Sequence, residues 1–578
     1  MRSVRRVCLR LAFGVPLLAA ASVSAQDRPQ PEATVAVAER ESVRAQKFMI
    51  ATAHPLATEA GHAVLAAGGT AADAAVVVQT MLGLVEPQSS GLGGGAFLLY
   101  WDAEAGELTT YDARETAPLE ADDAYWLDEN GEPLAFRDAV VGGRSAGVPG
   151  TPMLLETLHR DHGSRPWTSL MQPAIETAER GFTVTQRMAE SVAAAQGLDT
   201  FVTTAEYFLP GGEPIAEGST LKNPAYAQTL RLFAQHGAAP FYTGEIAERI
   251  VAALKTNINP GILSMEDFAA YKVVKRTPVC MTYRDHDVCG MGPPSSGALT
   301  VGQILGILEQ FDLGSMEDGP AFRHLFAEAS RLAFADRALY MADSDFVDVP
   351  EGLLDPAYLM ERATLIDPDT SMGTAAPGTP PGPDRGDLAP DSERPRKGTS
   401  HFVIVDGAGD MISATTTIES GFGSRVMTGG FLLNNELTDF SFVPELDGAP
   451  VANRVEPGKR PRSSMSPTIV FKDGEPVLLT GSPGGAAIIH YTALSLISIL
   501  DWKMDPQEAI DLPHVTNLNG RTSIEEGEGA EDLAEALEAL GHEVAIVNLN
   551  SGLHVIAVTD DGLVGAADKR REGLVMGE

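Results

Sequence analysis

A threonine lies where a loop rich in helix and strand breakers meets a predicted strand, and this position would allow it to act as a nucleophile. Residues 371–398 carry Pro and Gly at a density that no helix or strand keeps, and Thr399 follows directly. A lone Gly-Thr pair ordinarily marks only the start of a strand. If the Gly398–Thr399 bond is cut, however, the hydroxyl and the free α-amine belong to one residue. An α-amine has a pKa of about 8, so it can act as the base that activates this hydroxyl.

Predicted strands and helices surround this threonine. An apolar strand pattern at 401–406, a turn GAGD and a second strand pattern at 411–418 predict a hairpin with Thr399 at its mouth. Residues 52–84 predict two helices, the second with a capping box formed by Thr70 and Asp73. The pattern from about 150 to 365 is mainly helical and predicts layers that cover sheets.

Nine short motifs follow one another along the chain. They are VEPQSSGLGGGAF (85–97), YDARETAP (111–118), GVPGT (147–151), PPSSGA (293–298), GTSHFVIVD (398–406), GFLLNNELTDFS (430–441), KRPRSSMSPTIV (459–470), TGSPGG (480–485) and GAADKRREG (565–573). In this order they resemble the motifs of the γ-glutamyltranspeptidases, or glutathione hydrolases, of the N-terminal nucleophile superfamily. The resemblance implies an α/β fold, a four-layer αββα sandwich built from two chains of one autoprocessed precursor. It implies no metal or organic cofactor.

The resemblance also implies which residues perform the reaction. Thr399 is the nucleophile, Gly398–Thr399 is the cleavage site, and Thr417 on the paired strand orients the nucleophile. The backbone N–H groups of Gly484 and Gly485 are the oxyanion donors. A strand pattern before this glycine pair and an apolar helical pattern after it place these N–H groups at a helix N-terminus, where the dipole favours negative charge.

A second set of residues, by the same resemblance, holds the carboxylate of the substrate. Arg114 follows a predicted strand, a position where arginines are usually structural. Its counterpart in the family grips the α-carboxylate of the γ-glutamyl group, and a guanidinium pairs bidentately with a carboxylate. Ser463 and Ser464 correspond to a serine pair that hydrogen-bonds the same carboxylate.

Three carboxylates complete the predicted substrate site. Two such groups three residues apart, Glu436 and Asp439, could be an acid–base pair, metal ligands or a solvated edge in a strand-to-turn segment. The resemblance makes them receptors for the α-ammonium of the donor. Glu419 stands where the family commonly has Asn, so it either pairs with the ammonium more directly or rejects a different acyl group, which leaves the identity of the substrate open.

Charge and cysteine content exclude several classes of partner. The formal net charge of −37 argues against nucleic acids and anionic membranes, because both require a basic face. Cys280 and Cys289 flank a predicted hairpin, so they either form a disulfide across it or remain two buried thiols. Their spacing fits no zinc pattern, and the histidines are scattered, so no metal site is expected.

The N-terminus predicts export and the motif order predicts processing. Residues 1–25 combine arginines, an apolar run and a small-residue cleavage site, as a signal peptide does, which indicates a periplasmic or secreted protein. Cleavage before Thr399 would give a large chain from 26 to 398, ending in the flexible linker 371–398, and a small catalytic chain from 399 to 578. The two chains would stay associated as a heterodimer.

The sequence therefore predicts an autoprocessing γ-glutamyltranspeptidase. It would transfer the γ-glutamyl group of glutathione or a related amide, through a Thr399 acyl-enzyme, to water or to an amino acid or peptide acceptor. One alternative is an acylase of the same fold for glutaryl-type or poly-γ-glutamyl substrates, which Glu419 and a short loop after Asp439 favour. Another is an uncleaved binding protein.

Overall fold

Two antiparallel sheets of seven strands each face one another in the computed structural model, which describes residues 39–383, 386–391 and 398–578. The predicted signal peptide, 1–25, lies outside the described residues. The first sheet consists, in spatial order, of Leu574–Gly577, Met49–Thr52, Ser400–Val405, Met411–Thr417, Gly95–Asp102, Glu107–Ala113 and Val274–Arg276. The second consists of Val43–Ala45, Gly562–Ala567, His554–Thr559, Glu475–Gly481, Thr468–Lys472, His286–Gly290 and Val279–Tyr283.

Side chains alternate along each strand between two hydrophobic cores. In the first sheet Leu98 packs toward helices, while Phe97 and Leu99 pack toward the second sheet, where they meet Ile469 and Leu479. Residues of the second sheet such as Val470 face its own helical layer. Because successive side chains of a strand point to opposite faces, both sheets are buried on both sides. The four-layer αββα sandwich is therefore confirmed.

Helices cover both outer faces of the sheets. Those on the first sheet include Pro55–Ala66, Ala71–Val85, Thr151–His162, Trp167–Leu170, Gln172–Arg180, Gln186–Ala194, Val202–Phe208, Pro224–His236, Ala239–Tyr242, Glu245–Leu254 and Met265–Ala270. Those on the second are Gly297–Leu308, Pro320–Tyr340, Pro356–Ala363, Ile488–Leu500 and Pro506–Asp511. None of the helices in the described ranges has the length and apolar character that a membrane span requires.

Smaller elements lie outside the two large sheets. Helix Ala530–Ala539 packs on a small sheet of Val515–Asn517, Thr522–Glu525 and Val544–Val547, and helix Phe136–Val140 belongs to a separate hydrophobic cluster with Leu437 and Phe442. The remaining strands pair two by two: Phe182–Thr183 with Thr220–Leu221, Met427–Thr428 with Phe431–Leu432, and Glu445–Leu446 with Ala449–Pro450.

The predicted hairpin and the predicted helix start are both present. The strands Ser400–Val405 and Met411–Thr417 pair antiparallel with Ser400 opposite Thr416, which brings Thr399 beside Thr417. Helix Ala71–Val85 begins at a capping box in which Thr70 and Asp73 bond one another's backbone N–H groups. In the second sheet, Cys280 and Cys289 lie opposite each other and form a disulfide.

A run of three glycines, 93–95, leads from the helix Ala71–Val85 into the strand Gly95–Asp102, which pairs with the hairpin. A Cβ on Gly94 would collide with the carbonyl of Thr417, and one on Gly93 with that of Leu432. The run therefore allows the backbone to pass close to the strand Met411–Thr417.

The start of the predicted flexible linker is attached to the long helix Pro320–Tyr340. Ser371 Oγ donates to Glu328 Oε1 at 2.8 Å, and the N–H of Gly378 donates to Asp336 Oδ1 at 2.7 Å. Further along, Asp391 accepts a bond of 2.9 Å from Arg462. These contacts hold the linker at both ends of its described part, which its composition alone does not predict.

Candidate active site

Thr399 lies directly before the strand Ser400–Val405, with its hydroxyl against the preceding peptide bond. Its hydroxyl donates to the carbonyl oxygen of Gly398 and lies 3.3 Å from Thr417 Oγ1. Thr417 Oγ1 donates to the same carbonyl at 3.1 Å and accepts the Glu419 N–H at 2.8 Å. Both threonines are buried. The Gly398 carbonyl is therefore contacted by two hydroxyls, one of which is the predicted nucleophile.

Gly398 has a backbone conformation that favours glycine. Its φ is +109°, and a Cβ at this position would lie 2.6 Å from the carbonyl oxygen of Glu419. An L-residue would be strained by the dihedral and would also have to displace the neighbouring chain. The glycine before the predicted cut is thus required by the local geometry.

Side chains distant in sequence fix the backbone around Thr399. Arg571 Nη1 donates to the carbonyl of Thr399 at 3.2 Å, and its Nε donates to the carbonyl of Ser551 at 2.9 Å. Ser400 Oγ donates to Glu86 Oε2 at 2.9 Å, and Glu86 forms a buried ion pair with Arg187 at 3.1 Å. The start of the nucleophile strand is therefore held from both sides.

Arg114 is buried and points at two carboxylates. Its Nη1 pairs with Glu436 and its Nη2 with Asp439, while Nε donates to the carbonyl of Pro461 at 3.1 Å and Nη2 to that of Arg462 at 3.0 Å. Glu436–Asp439 forms a 3-10 turn, which corrects the predicted strand-to-turn segment. In this turn both carboxylates face one guanidinium, because side chains three residues apart lie on the same side of a 3-10 helix.

The serine pair lies in a loop braced by the PPSSGA motif. The carbonyl of Ser463 accepts bonds from the N–H and the hydroxyl of Ser296, at 2.8 and 2.6 Å. Ser464 Oγ accepts from Arg337 Nη2 at 2.7 Å. The PPSSGA motif thus holds the serine loop in place through the two bonds from Ser296.

Glu419 lies two residues after Thr417, in a left-handed conformation with φ of +75°. Its Oε2 accepts from Asn435 Nδ2 at 2.6 Å and from the hydroxyl of Ser420. Asn435 directly precedes the turn that carries Glu436. The third predicted carboxylate is therefore connected to the other two through this asparagine.

The two predicted oxyanion glycines differ in position. Gly485 has φ of +59° and begins a short 3-10 turn that leads into the helix Ile488–Leu500. Gly484 has φ of +133° and lies against the ring of Tyr491. Gly485 lines the cavity in front of Thr399, whereas Gly484 is not among its lining residues.

One small cavity, of about 40 Å³, collects nearly all of these residues. Its lining consists of Arg114, Arg337, Gly398, Thr399, Thr417, Glu419, Glu436, Asp439, Arg462, Ser463, Ser464, Met465, Gly485, Ala486 and Ile488. Three guanidinium groups and three carboxyl groups therefore surround a buried threonine hydroxyl. Such a site is built to hold a ligand that carries both signs of charge next to a nucleophile.

Comparison with known proteins identifies the family. The family model described as gamma-glutamyltranspeptidase matches residues 57–578. The chain belongs to this family. As a γ-glutamyltranspeptidase family member it is similar to the glutathione hydrolase proenzymes of Bacillus subtilis (strain 168) and Escherichia coli (strain K12).

These relatives cover almost the whole chain. The B. subtilis protein is 36% identical over 542 residues, which is 92% of this chain and 91% of that protein. The E. coli protein is 36% identical over 577 residues, 97% of each chain. Among solved structures, a cephalosporin acylase from Bacillus halodurans superimposes with a TM-score of 0.83 at 28% identity, covering 96% of this chain and 98% of that one.

Three charged residues at this site of the γ-glutamyltranspeptidase family member do not follow from the sequence predictions. Arg337 comes from the long helical segment and Arg462 from the motif before the serine pair, and both line the cavity. Glu115, next to Arg114, is buried beside Glu436; burial, and after it the charge of Glu436, raise the pKa of Glu115 well above its ordinary value. Glu115 and Arg462 lie within two of the nine family motifs but have no residue pattern of their own that marks a site, and Arg337 lies in none of the motifs.

One group of residues in the described part of the chain has the composition of a metal site. His324, Glu328 and His542 place their ligand atoms within 4.8 Å of one another. Their polar atoms already bond one another and their neighbours: His324 Nδ1 is 2.7 Å from His542 Nε2, and Glu328 accepts from Arg331 at 2.8 Å. The group lies outside the cavity lining, and the neighbouring guanidinium opposes the binding of a cation.

Proposed function

We propose that this protein is a γ-glutamyltransferase and glutathione hydrolase that activates itself by cleavage between Gly398 and Thr399. The hydroxyl of Thr399 attacks the carbonyl carbon of Gly398, and the peptide is converted to an ester as the nitrogen of Thr399 takes a proton. Water hydrolyses the ester and releases the Gly398 carboxylate. The contact of the Thr399 hydroxyl with the Gly398 carbonyl, the second hydroxyl of Thr417 and the glycine conformation support this step.

The fragments 26–398 and 399–578 would remain one heterodimer. The first strand of the small chain, Ser400–Val405, pairs with Met49–Thr52 of the large chain, and the next, Met411–Thr417, pairs with Gly95–Asp102. Cleavage removes one covalent bond and leaves these ladders intact. Separation would expose both cores of the first sheet, at a cost far above that of an ordinary domain interface.

In the mature enzyme the freed α-amine of Thr399 accepts the proton of the hydroxyl as that oxygen attacks the γ-carbonyl of the donor. The negative charge that develops on the carbonyl oxygen is held by backbone N–H groups at Gly484 and Gly485. The C–N bond breaks as the leaving amine takes the proton. Water or the amine of an amino acid or peptide then attacks the acyl-enzyme, which gives hydrolysis or transfer.

The observation that carries the substrate assignment is the pairing of Arg114 with Glu436 and Asp439 beside the serine pair. A γ-glutamyl group carries an α-carboxylate and an α-ammonium on one carbon. Its carboxylate can pair with Arg114 while its ammonium pairs with Glu436 and Asp439, so no charge of the site is left without a partner. A glutaryl group lacks the ammonium and would leave buried carboxylates without a cation, which is costly. Glutathione is the named substrate of the similar proenzymes and is the donor we propose here.

A second candidate is a same-fold acylase, which the similarity to the B. halodurans cephalosporin acylase and the presence of Glu419 favour. Purified enzyme assayed with γ-glutamyl-p-nitroanilide and glutaryl-p-nitroanilide separates the two. We expect hydrolysis of the γ-glutamyl compound to be at least about 100-fold more efficient, as expected when polar groups are left unpaired. Preference for the glutaryl compound would establish the acylase.

Thr399→Ala tests the nucleophile directly. We expect the wild type to appear under denaturing conditions as two fragments, the smaller beginning at Thr399, and the variant as one inactive chain. An uncut, folded wild type without turnover would instead support an uncleaved binding protein.

Export is part of the same proposal. Residues 1–25 would act as the signal peptide of a periplasmic or secreted enzyme, and the Cys280–Cys289 disulfide suits an oxidising compartment. N-terminal sequencing of the large chain from the native host checks the removal of this segment.

A further inference from the structure

Arg337 is a buried arginine that lines the active-site cavity. It lies near the end of the helix Pro320–Tyr340 and is only 2% exposed. Its Nη2 donates to Ser464 Oγ at 2.7 Å, and its Nε donates to Ser296 Oγ at 2.8 Å. One guanidinium therefore bonds two serines that belong to different loops.

The direction of these bonds is fixed by chemistry. A guanidinium can only donate, so Ser464 Oγ must accept from it, and the hydroxyl hydrogen of Ser464 has to point elsewhere. Ser464 itself lines the cavity and is partly exposed, so the cavity is the direction that remains open to this hydrogen. A nearby positive charge also polarises the hydroxyl and makes it a stronger donor.

The second bond acts on the neighbouring serine. Ser296 Oγ accepts from Arg337 Nε and donates its own hydrogen to the carbonyl of Ser463 at 2.6 Å. Arg337 thus orients the backbone at Ser463 through one bond and the side chain of Ser464 through another. Lysine has a single nitrogen and cannot reproduce both bonds in this planar arrangement.

We propose that Arg337 is a positioning residue for the substrate carboxylate, which acts by turning the Ser464 hydroxyl into a donor aimed at that carboxylate. The inference rests on the proposed function in that Ser463 and Ser464 are taken to bind the carboxylate. It adds a residue to the specificity of the site and assigns Arg337 no part in bond breaking.

The test is a kinetic cycle of Arg337→Lys, Ser464→Ala and the double variant. We expect each single variant to raise KM about tenfold while kcat stays within about threefold, because a binding interaction present in both ground and transition state is lost. The double variant should match Arg337→Lys, since removal of the Ser464 hydroxyl costs nothing more once Arg337 no longer orients it. Effects that add would overturn the proposal, as would an unchanged KM in either single variant.

Arg331→Lys is the matched control for damage to the helix. Arg331 lies on the same helix, is equally buried, and donates to Glu328 and to the carbonyl of Gly520 rather than to the site. An equal rise of KM in this control would also refute the proposal. If Arg337→Lys does not fold, Arg337→Gln takes its place in the same cycle with Ser464→Ala, because the shorter neutral amide also loses the pair of guanidinium bonds to Ser464 and Ser296.

The donor for these assays is whichever anilide the wild type hydrolyses. Both the γ-glutamyl and the glutaryl group carry a distal carboxylate, so the role of Arg337 is measured even if the proposed γ-glutamyl specificity fails. Failure of the proposed function therefore shows in the wild type, and failure of this inference shows in the variants.

Discussion

Arg114 is the residue on which the recognition of the donor depends most. It is buried, its guanidinium pairs with Glu436 and Asp439, and it donates to two backbone carbonyls. Arg114→Lys keeps the charge but loses the planar fork, so both carboxylates are incompletely paired. We expect KM for γ-glutamyl-p-nitroanilide to rise on the order of 100-fold, as for other broken buried charge pairs.

The control for this prediction is Arg284→Lys. Arg284 also pairs with a carboxylate, Asp501 at 2.9 Å, but it lies outside the cavity lining. The KM of the Arg284→Lys variant should stay within about twofold of the KM of the wild type. A similar KM for the two variants would show that Arg114 is structural.

Glu115 predicts a pH dependence of stability. Its pKa in the folded protein lies above the ordinary value of 4.5, first because of burial and second because of Glu436. At a pH below the ordinary pKa, the carboxyl group is protonated in both the folded and the unfolded protein. As pH rises, the unfolded chain ionises first, so the folded state becomes less stable relative to it. This loss of stability stops once the pH exceeds the pKa of Glu115 in the folded protein. Glu115→Gln cannot ionise at this position, so the variant avoids this loss of stability. We expect the Tm of the variant to rise relative to the Tm of the wild type as pH increases from about 5 to about 8.

Glu120→Gln separates this effect from a simple change of net charge. Glu120 is exposed, and its replacement by Gln removes the same charge from the same segment. The difference in Tm between Glu120→Gln and the wild type should stay constant over the same pH range. A flat difference for Glu115→Gln as well would mean that Glu115 is not held neutral by the fold.

Most of the candidate site could be predicted from the resemblance of the motifs to the γ-glutamyltranspeptidase family, but its supports could not. Of the ten predicted catalytic and substrate-binding residues, Gly484 is the one that does not line the cavity. Arg337 and Glu115 carry no distinguishing pattern, because a buried arginine on a helix and a glutamate after a strand look like ordinary surface residues in sequence. Their meaning depends on contacts between distant segments.

At the scale of the element, the turn at Gly398 joins the linker to the nucleophile strand. Gly398→Ala would place a Cβ against the carbonyl of Glu419 and force a left-handed alanine, so the scissile carbonyl must shift away from Thr399 Oγ1. We expect self-cleavage, followed as the fraction of cut chain over time, to slow at least about tenfold, because catalysis by proximity depends on close alignment.

Gly407→Ala is the matched change. Gly407 lies in the turn of the same hairpin, and a Cβ there meets nothing within 4 Å. This variant should cut itself at the wild-type rate. Normal processing of Gly398→Ala would show that the backbone at the cleavage site tolerates a side chain.

Local patterns predicted individual elements well and their partners poorly. The hairpin after Thr399 and the capped helix at Ala71 follow from periodicity and turn chemistry. The division of fourteen strands into two sheets does not, because neighbours such as Met49–Thr52 and Ser400–Val405 are separated by hundreds of residues. The attachment of the linker to the helix Pro320–Tyr340 is equally nonlocal.

At the scale of the whole molecule, the net charge of −37 opposes the approach of an anionic donor. Salt screens this field over about 10 Å at 0.1 M ionic strength. We expect kcat/KM for glutathione, which carries a net negative charge, to rise about two- to threefold when NaCl increases from about 20 to about 300 mM.

The reference substrate for this prediction is γ-glutamyl-p-nitroanilide, whose ammonium and carboxylate cancel. Its kcat/KM should change little over the same range. An equal response of both donors would indicate an effect of salt on the enzyme and not on the encounter.

The strand Leu574–Gly577 supports the nucleophile strand from two positions away in the first sheet. Leu574–Gly577 forms the edge of the first sheet beside Met49–Thr52, which in turn pairs with the strand that follows Thr399, and Arg571 just before this edge holds the Thr399 carbonyl. Residues 571–577 therefore stabilise the backbone at Thr399 from across the first sheet, and their removal would withdraw both the edge strand and the bond to the Thr399 carbonyl.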